Sequence, residues 1–203
     1  MNRQLSHAER ASCYQILATL FCYPDKGLLD SLHSSLENLS LFLHLPIPVE
    51  LKQTPELIDT EVAYTSLFIN SLGGAAAPPY GSVYLESAAQ LMGASCQQVS
   101  DSYRREGLNL DASEEPADFL ATELEFLYFL VAEEAAAEDA EAAAVWKRKQ
   151  ADFSRKLLHP WLSVFCQRVK RSDAGHPLYR WAAEALLLFS ESEQNYLSGI
   201  SAG

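Results

Sequence analysis

The side chains able to do acid–base, nucleophilic or metal chemistry are present but dispersed. The five histidines, His7, His33, His44, His159 and His176, form no His-x-x-x-His pair. The four cysteines, Cys13, Cys22, Cys96 and Cys166, form no Cys-x-x-Cys pair and no Cys/His set at metal-ligand spacing, so reduced, mostly buried thiols are expected. Ser82 lies in Gly81-Ser82-Val83, without the Gly-x-Ser-x-Gly frame or the preceding strand of a nucleophile elbow. Gly73-Gly74 is not a phosphate loop of the P-loop form. The pattern predicts no enzyme, no metal and no resident cofactor.

Recognition chemistry is better represented. Pro78-Pro79-Tyr80-Gly81-Ser82-Val83-Tyr84-Leu85 joins two backbone-stiffening prolines to two rings that are apolar and hydrogen-bonding at once, the ingredients of a peptide groove. The same residues fit a loop end with its tyrosines packed beneath. Glu115-Pro116-Ala117-Asp118 reads locally as a helix start, with proline in the first turn and carboxylates at the positive end of the macrodipole. A formal charge of −12 and a pI near 4.8 disfavour nucleic acid and anionic membranes, because phosphate-rich partners demand basic patches. The acidity serves either solubility or a cationic partner.

The elements that must carry these segments are helical. Ser6 with Glu9 forms a candidate capping box before Tyr14, Ile16, Leu17, Leu20 and Phe21, and this helix ends before Pro24. Leu28, Leu32, Leu36, Leu39 and Leu43 mark a second stripe, broken by Pro46 and Pro48. Thr54-Pro55 reads as N-cap and first residue of a third helix running through Leu57, Ile58, Val62, Leu67 and Phe68. An irregular stretch from Gly73 to Leu85 follows. Helical patterning returns from Glu86 to about Glu106, with Gly93 as a kink or close-packing point, and residues 107–116 form a second irregular link. The run through Phe119, Leu120, Leu124, Leu127, Tyr128 and Val131, widened nearly all round by Phe126, Phe129 and Leu130, predicts a central buried helix, and residues 132–144 a solvated helix end and acidic connection. Trp146 to Leu158 predicts a further helix. Pro160 and Pro177 suit the first turns of the last two. The expected fold is all-α, one helical bundle over residues 1–203, with two irregular loops around a groove and residues 107–116 as its candidate hinge. Met1 to Ser6 carries no apolar signal core and no later segment suits a bilayer, so a cytoplasmic location without stable membrane insertion is expected. Arg104-Arg105 lies mid-chain in a polar helix and does not read as an export signal.

Taken in order, Tyr64-Thr65-Ser66-Leu67-Phe68, the Pro78 to Leu85 loop, Glu115-Pro116-Ala117-Asp118-Phe119, Leu158-His159-Pro160-Trp161 and His176-Pro177-Leu178-Tyr179 resemble the all-helical, TorD-like maturation chaperones of molybdoenzymes. The resemblance spans roughly Tyr14 to Phe189 and leans toward the dimethyl sulfoxide reductase branch. It implies a non-catalytic chaperone that holds the twin-arginine signal peptide of a molybdopterin-containing respiratory oxidoreductase until the enzyme matures for export. An assembly factor for a nitrate-reductase-type enzyme that is never exported is the alternative. The resemblance assigns the groove to Tyr64, Leu67, Phe68, Pro79, Tyr80, Gly93, Glu115, Pro116 and Asp118. Asp118 and Glu115 would meet the arginines, and Phe68, Pro79, Tyr80 and Phe119 the apolar part. Phe119 departs from the family, which usually has histidine there, and Tyr80 stands where tryptophan is frequent. A monomer is expected, with domain exchange through residues 107–116 as the other possibility.

Overall fold

A computed structural model describes residues 4–70, 74–86, 93–110 and 115–198. Helix α1 (His7–Leu20) opens on the expected capping box: Glu9 N–H donates to Ser6 Oγ at 3.3 Å, and Ser6 N–H donates to the Glu9 carboxylate at 2.9 Å. Helix α2 (Lys26–Leu43) is capped by Asp25, which accepts from Leu28 N–H at 2.7 Å, and it buries Leu28, Leu32, Leu36 and Leu39. Helix α3 (Leu57–Tyr64) starts later than Thr54-Pro55 predicts: Glu56 takes the N-cap place, with no side-chain cap. Its Ile58 and Val62 are 63% and 60% exposed rather than buried. A π-helical turn, Thr65–Ile69, continues it, closed by Asn70 N–H donating to Thr65 O at 2.8 Å. The extra residue in that turn sets the consecutive Leu67 and Phe68 both inward.

Beyond the loop lie the single turn α4 (Ser82–Leu85) and helix α5 (Ala94–Arg105). Gly93 is the N-cap of α5 and not a kink inside a longer helix. Glu86 is extended, and its carboxylate accepts from Ser95 N–H and Oγ, each at 2.9 Å. A Cβ on Gly93 would lie 2.6 Å from Glu86 Cδ, so a larger residue here would displace the Glu86 side chain that caps Ser95. Gly73, the stretch 87–92 and the middle of the expected hinge, 111–114, fall outside the described residues. Helix α6 (Leu120–Ala136) buries Leu120, Leu124, Leu127, Leu130 and Val131 as expected but leaves one face exposed through Glu125, Tyr128 and Ala132, so Tyr128 is not in the core. Helix α7 (Ala140–Phe153), capped by Asp139, runs into a second π-helical turn, Ser154–Leu158. Helices α8 (His159–Arg171) and α9 (Pro177–Leu197) follow, each with proline in its first turn. Among the described residues there is no strand beyond an isolated Tyr80–Phe119 bridge, and no helix is long and apolar enough to cross a membrane.

One continuous apolar cluster takes in side chains from Leu5 to Phe189, with Trp161, Tyr179, Phe21, Phe165 and Phe189 among its largest members. Helix α6 is its axis and packs most extensively on α1 and α7. Against expectation, the acidic end of α6 is not wholly solvated: Glu134 is buried and pairs with Arg10, itself only 1% exposed. Arg10 grips Glu193 through two hydrogen bonds of 2.7 Å and reaches Glu134 at 3.0 Å, while Tyr14 donates to Glu193 at 2.8 Å and Gln150 to Glu134 at 2.9 Å. One guanidinium thereby ties together α1, α6, α7 and α9.

At the start of α8, burial lowers the His159 imidazole from 6.5 to about 4. Folding favours the neutral ring, so its contribution is complete above pH 6.5 and drains away as pH falls toward 4. Urea unfolding between about pH 7 and 4.5 should show this decline, and His159→Gln should reduce its steepness by about one bound proton.

Candidate peptide-binding site

The proline loop and the entrance to α6 are built into one another. Ala77 N–H donates to Leu67 O at 2.7 Å, fixing the loop to the π-helical turn. Leu120 N–H donates to Pro79 O at 2.8 Å and Gly81 N–H to Asp118 O at 3.0 Å, on either side of the Tyr80–Phe119 bridge. The Asp118 carboxylate accepts from Ser82 N–H at 2.6 Å. Asp118 therefore caps the single turn α4 across the junction and not its own helix, which begins with Phe119 at the N-cap and no side-chain cap. Tyr80 lies against Phe119 with ring centroids 5.6 Å apart, and its hydroxyl donates to Glu115 at 2.8 Å. Gly81 packs closely on Trp161: a Cβ there would meet the indole nitrogen at 3.0 Å, so a larger residue would have to push the ring back by a few tenths of an ångström.

The expected site residues converge, but at two depths. Tyr64, Leu67, Phe68, Pro79, Asp118 and Phe119 are buried; Tyr80, Pro116 and Gly93 are half-buried, and Glu115 is exposed. Phe68 is a core ring, edge-on to Tyr64 at 4.9 Å and Tyr179 at 5.2 Å and stacked on Phe165 at 6.0 Å. Asp118 is 1% exposed, so its expected direct pairing with a ligand's arginine is not available in this arrangement. Gly93 sits one element away, where α5 is joined to the junction by the Tyr103 hydroxyl donating to Ala117 O at 2.8 Å. The outward set is Tyr80, Glu115 and Pro116, and the other residues form its floor.

The structure adds residues that sequence reasoning missed. Tyr23 is 52% exposed and packs edge-on to Tyr64 at 5.3 Å, extending the aromatic surface beside Tyr80. The half-buried Cys22 thiol is pushed up to about 11, first by burial and then by the charges of Glu125, Glu115 and Asp25. Those carboxylates thus share one neighbourhood with Tyr23 and Tyr64. Burial, with the hydrogen bond to and charge of Glu115, also raises the Tyr80 phenol, keeping it a neutral donor. The available chemistry is aromatic contact beside carboxylates, suited to an apolar chain with a cationic end.

Among the described residues the scaffold is all-helical, with a proline-stiffened aromatic loop clasped to a Glu-Pro-x-Asp segment. The sequence pattern of the nitrate reductase delta subunit family matches residues 25–167, and the chain belongs to that family. Among curated relatives it is similar to the chaperone protein TorD of Vibrio cholerae, with 30% identity over 135 residues, covering 66% of this chain and 60% of that one. It is also similar to the perchlorate reductase assembly chaperone protein of Dechloromonas aromatica, with 28% identity over 170 residues, covering 76% and 75%. The chain spans about 60% of the length of the Vibrio TorD proteins it matches. Among solved structures it is similar to that of an Archaeoglobus fulgidus protein assigned to redox enzyme maturation: TM-score 0.59, 25% identity, covering 87% of this chain and 93% of the other.

Proposed function

We propose that this protein is a cytoplasmic, non-catalytic chaperone that binds the twin-arginine signal peptide of a molybdopterin-containing oxidoreductase and holds the enzyme during maturation before export. The observation that carries this reading is the clasp joining the Tyr80 loop to the Glu115–Phe119 segment, which presents a phenol and a carboxylate side by side on a rigid aromatic floor. A leader of this kind has a basic start followed by an apolar stretch. Glu115, with Glu125 nearby, meets its arginines, while Tyr80, Tyr23 and Pro116 cover the apolar stretch. Phe68, Pro79 and Phe119 support them from below, and Asp118 holds the loop in place.

Calorimetry with a synthetic twin-arginine leader tests this. Tyr80→Ala should weaken binding by about 2 kcal/mol or more, as loss of a central aromatic anchor does. Glu115→Gln should chiefly slow association and flatten the salt dependence. If both variants bind like the unaltered protein, the assigned face is wrong. The family match favours a second reading, binding of the N-terminal peptide of a nitrate-reductase-type enzyme that stays inside the cell. A leader with both arginines replaced by glutamine separates the two: its binding collapses under the first reading and is unchanged under the second.

A further inference from the structure

Directly behind the clasp lies an acidic side chain that neither the site nor the fold has used. Glu123, in the first turn of α6, is 0% exposed, and both its carboxyl oxygens lack a hydrogen-bond partner. Its backbone N–H donates to Phe119 O at 3.0 Å, so it stands one turn above the bridge to Tyr80. Also without a hydrogen-bond partner here are Asp118 Oδ1 and Ser82 Oγ, on the pair whose remaining atoms make the 2.6 Å clasp bond, the Tyr84 hydroxyl, and Trp161 Nε1 behind Gly81. Buried carboxyls in native folds are nearly always hydrogen-bonded or paired, and one that is neither destabilises its surroundings once ionised.

No lysine, arginine or histidine among the described residues forms an ion pair with Asp118 or Glu123. From α5 come the Tyr103 phenol, which feels the charges of both carboxyls, and the Cys96 thiol beside Asp118. From α1, Arg10 is held by Glu134 and Glu193 farther along the bundle. From α7, Lys149 is held by Glu106, and α8 brings His159, which burial keeps neutral. Arg168 of α8 lies over the Tyr84 ring at 4.8 Å, and among the described residues neither Asp118 nor Glu123, which feels the charge of Asp118, has a cationic partner.

We propose that Glu123 is a positioning residue for the peptide site: protonated, it lets the Ser82–Asp118 clasp close and hold the Tyr80 and Glu115 face in place, and its ionisation beside Asp118 loosens the clasp and with it that face. Burial first, and the charge of Asp118 second, hold the Glu123 carboxyl well above its usual 4.5 in the closed form. The closed form therefore binds the proton more tightly than the open one, and opening becomes more favourable as pH rises from about 4.5 to the closed-form value, by up to about tenfold per pH unit. Above that value the dependence ends.

The mechanism rests on the peptide reading, but its first test needs no peptide. Hydrogen–deuterium exchange of the intact protein is followed from about pH 5 to 8, with rates divided by the intrinsic rates for each pH. Protection of the segments around Gly81, Ser82 and Leu120 should fall by as much as about tenfold per pH unit, while that of α9 stays level. Glu123→Gln keeps the shape and removes the titration, so protection should be high and level throughout. Asp118→Asn retains an acceptor for Ser82 N–H and removes the second charge, so the fall in protection should level off at a lower pH. Level protection in the unaltered protein, or an unchanged slope in Glu123→Gln, overturns the proposal. If exchange behaves as described but a twin-arginine leader fails to bind at every pH, the clasp mechanism stands and the peptide reading falls.

Discussion

Replacing Arg10 with alanine is expected to lower the free energy of unfolding by about 3–5 kcal/mol, a large part of the stability of a domain this size. The reason is what remains behind. Glu193 and Glu134 are buried, and without the guanidinium they keep neighbouring negative charges with only Tyr14, Gln150, Tyr196 and His7 as partners. Replacing the set by apolar side chains, Arg10→Met with Glu193→Met and Glu134→Leu, should recover most of the loss, because the intact pair repays desolvation more than it adds net stability. The pH dependence adds a second signature. Burial alone would raise the Glu134 carboxyl, but the bonds from Tyr196, Gln150, His7 and Arg10 outweigh it and hold it below the usual 4.5. Its stabilising contribution is therefore present above that pH and is lost as pH falls through the lowered value. Chemical denaturation of the Arg10→Ala protein should show a smaller acid-side loss. A change of less than about 1 kcal/mol at neutral pH would mean that the network is incidental.

A comparable effect is expected at Trp161, for a different reason. Its indole stacks on Tyr84 at 5.4 Å, meets Phe165 edge-on at 5.7 Å and closes the space beneath Gly81. Trp161→Ala removes that floor and should destabilise by about 3–5 kcal/mol, since the surrounding helices relax only partly into the void. Trp161→Phe should cost less than half as much: it keeps a ring against Tyr84 and deletes an indole N–H that has no acceptor. Leader binding should weaken in the alanine variant beyond what global stability explains, because the loop bearing Tyr80 loses its support. Equal destabilisation by the two substitutions would show that the ring stack contributes little.

Most of the helical layout is legible in the chain. The stripes of α2 and α6, the Ser6 and Glu9 capping box and the prolines opening α8 and α9 depend on residues a few positions apart. Where the reading failed, the deciding partner was distant. Thr54-Pro55 has the chemistry of a cap, yet the chain stays extended through Glu56. Asp118 also has that chemistry, but the closer N–H belongs to Ser82, in another segment. Glu134 belongs to an acidic run that reads as solvated, and only the fold brings Arg10 to it. The apolar pattern of the third helix includes Leu67 and Phe68, but the π-helical turn that buries both leaves no periodic signature. For the candidate site, family likeness named segments that the fold brings together at one junction. It gave no indication of depth, which is why Phe68 and Asp118 had to be separated from Tyr80 and Glu115 by their burial.

The bond between Arg10 and Glu193 spans 183 positions of chain. During vectorial synthesis the first helix therefore leaves the ribosome long before its counterion exists, with a cation that must later be entombed still in water. Short-range contacts can form as translation proceeds, but this cross-tie is a late checkpoint, slow for the same entropic reason that long-range pairings are generally slow. Until it is made, Arg10 and Glu193 are charges whose burial awaits the arrival of the last helix.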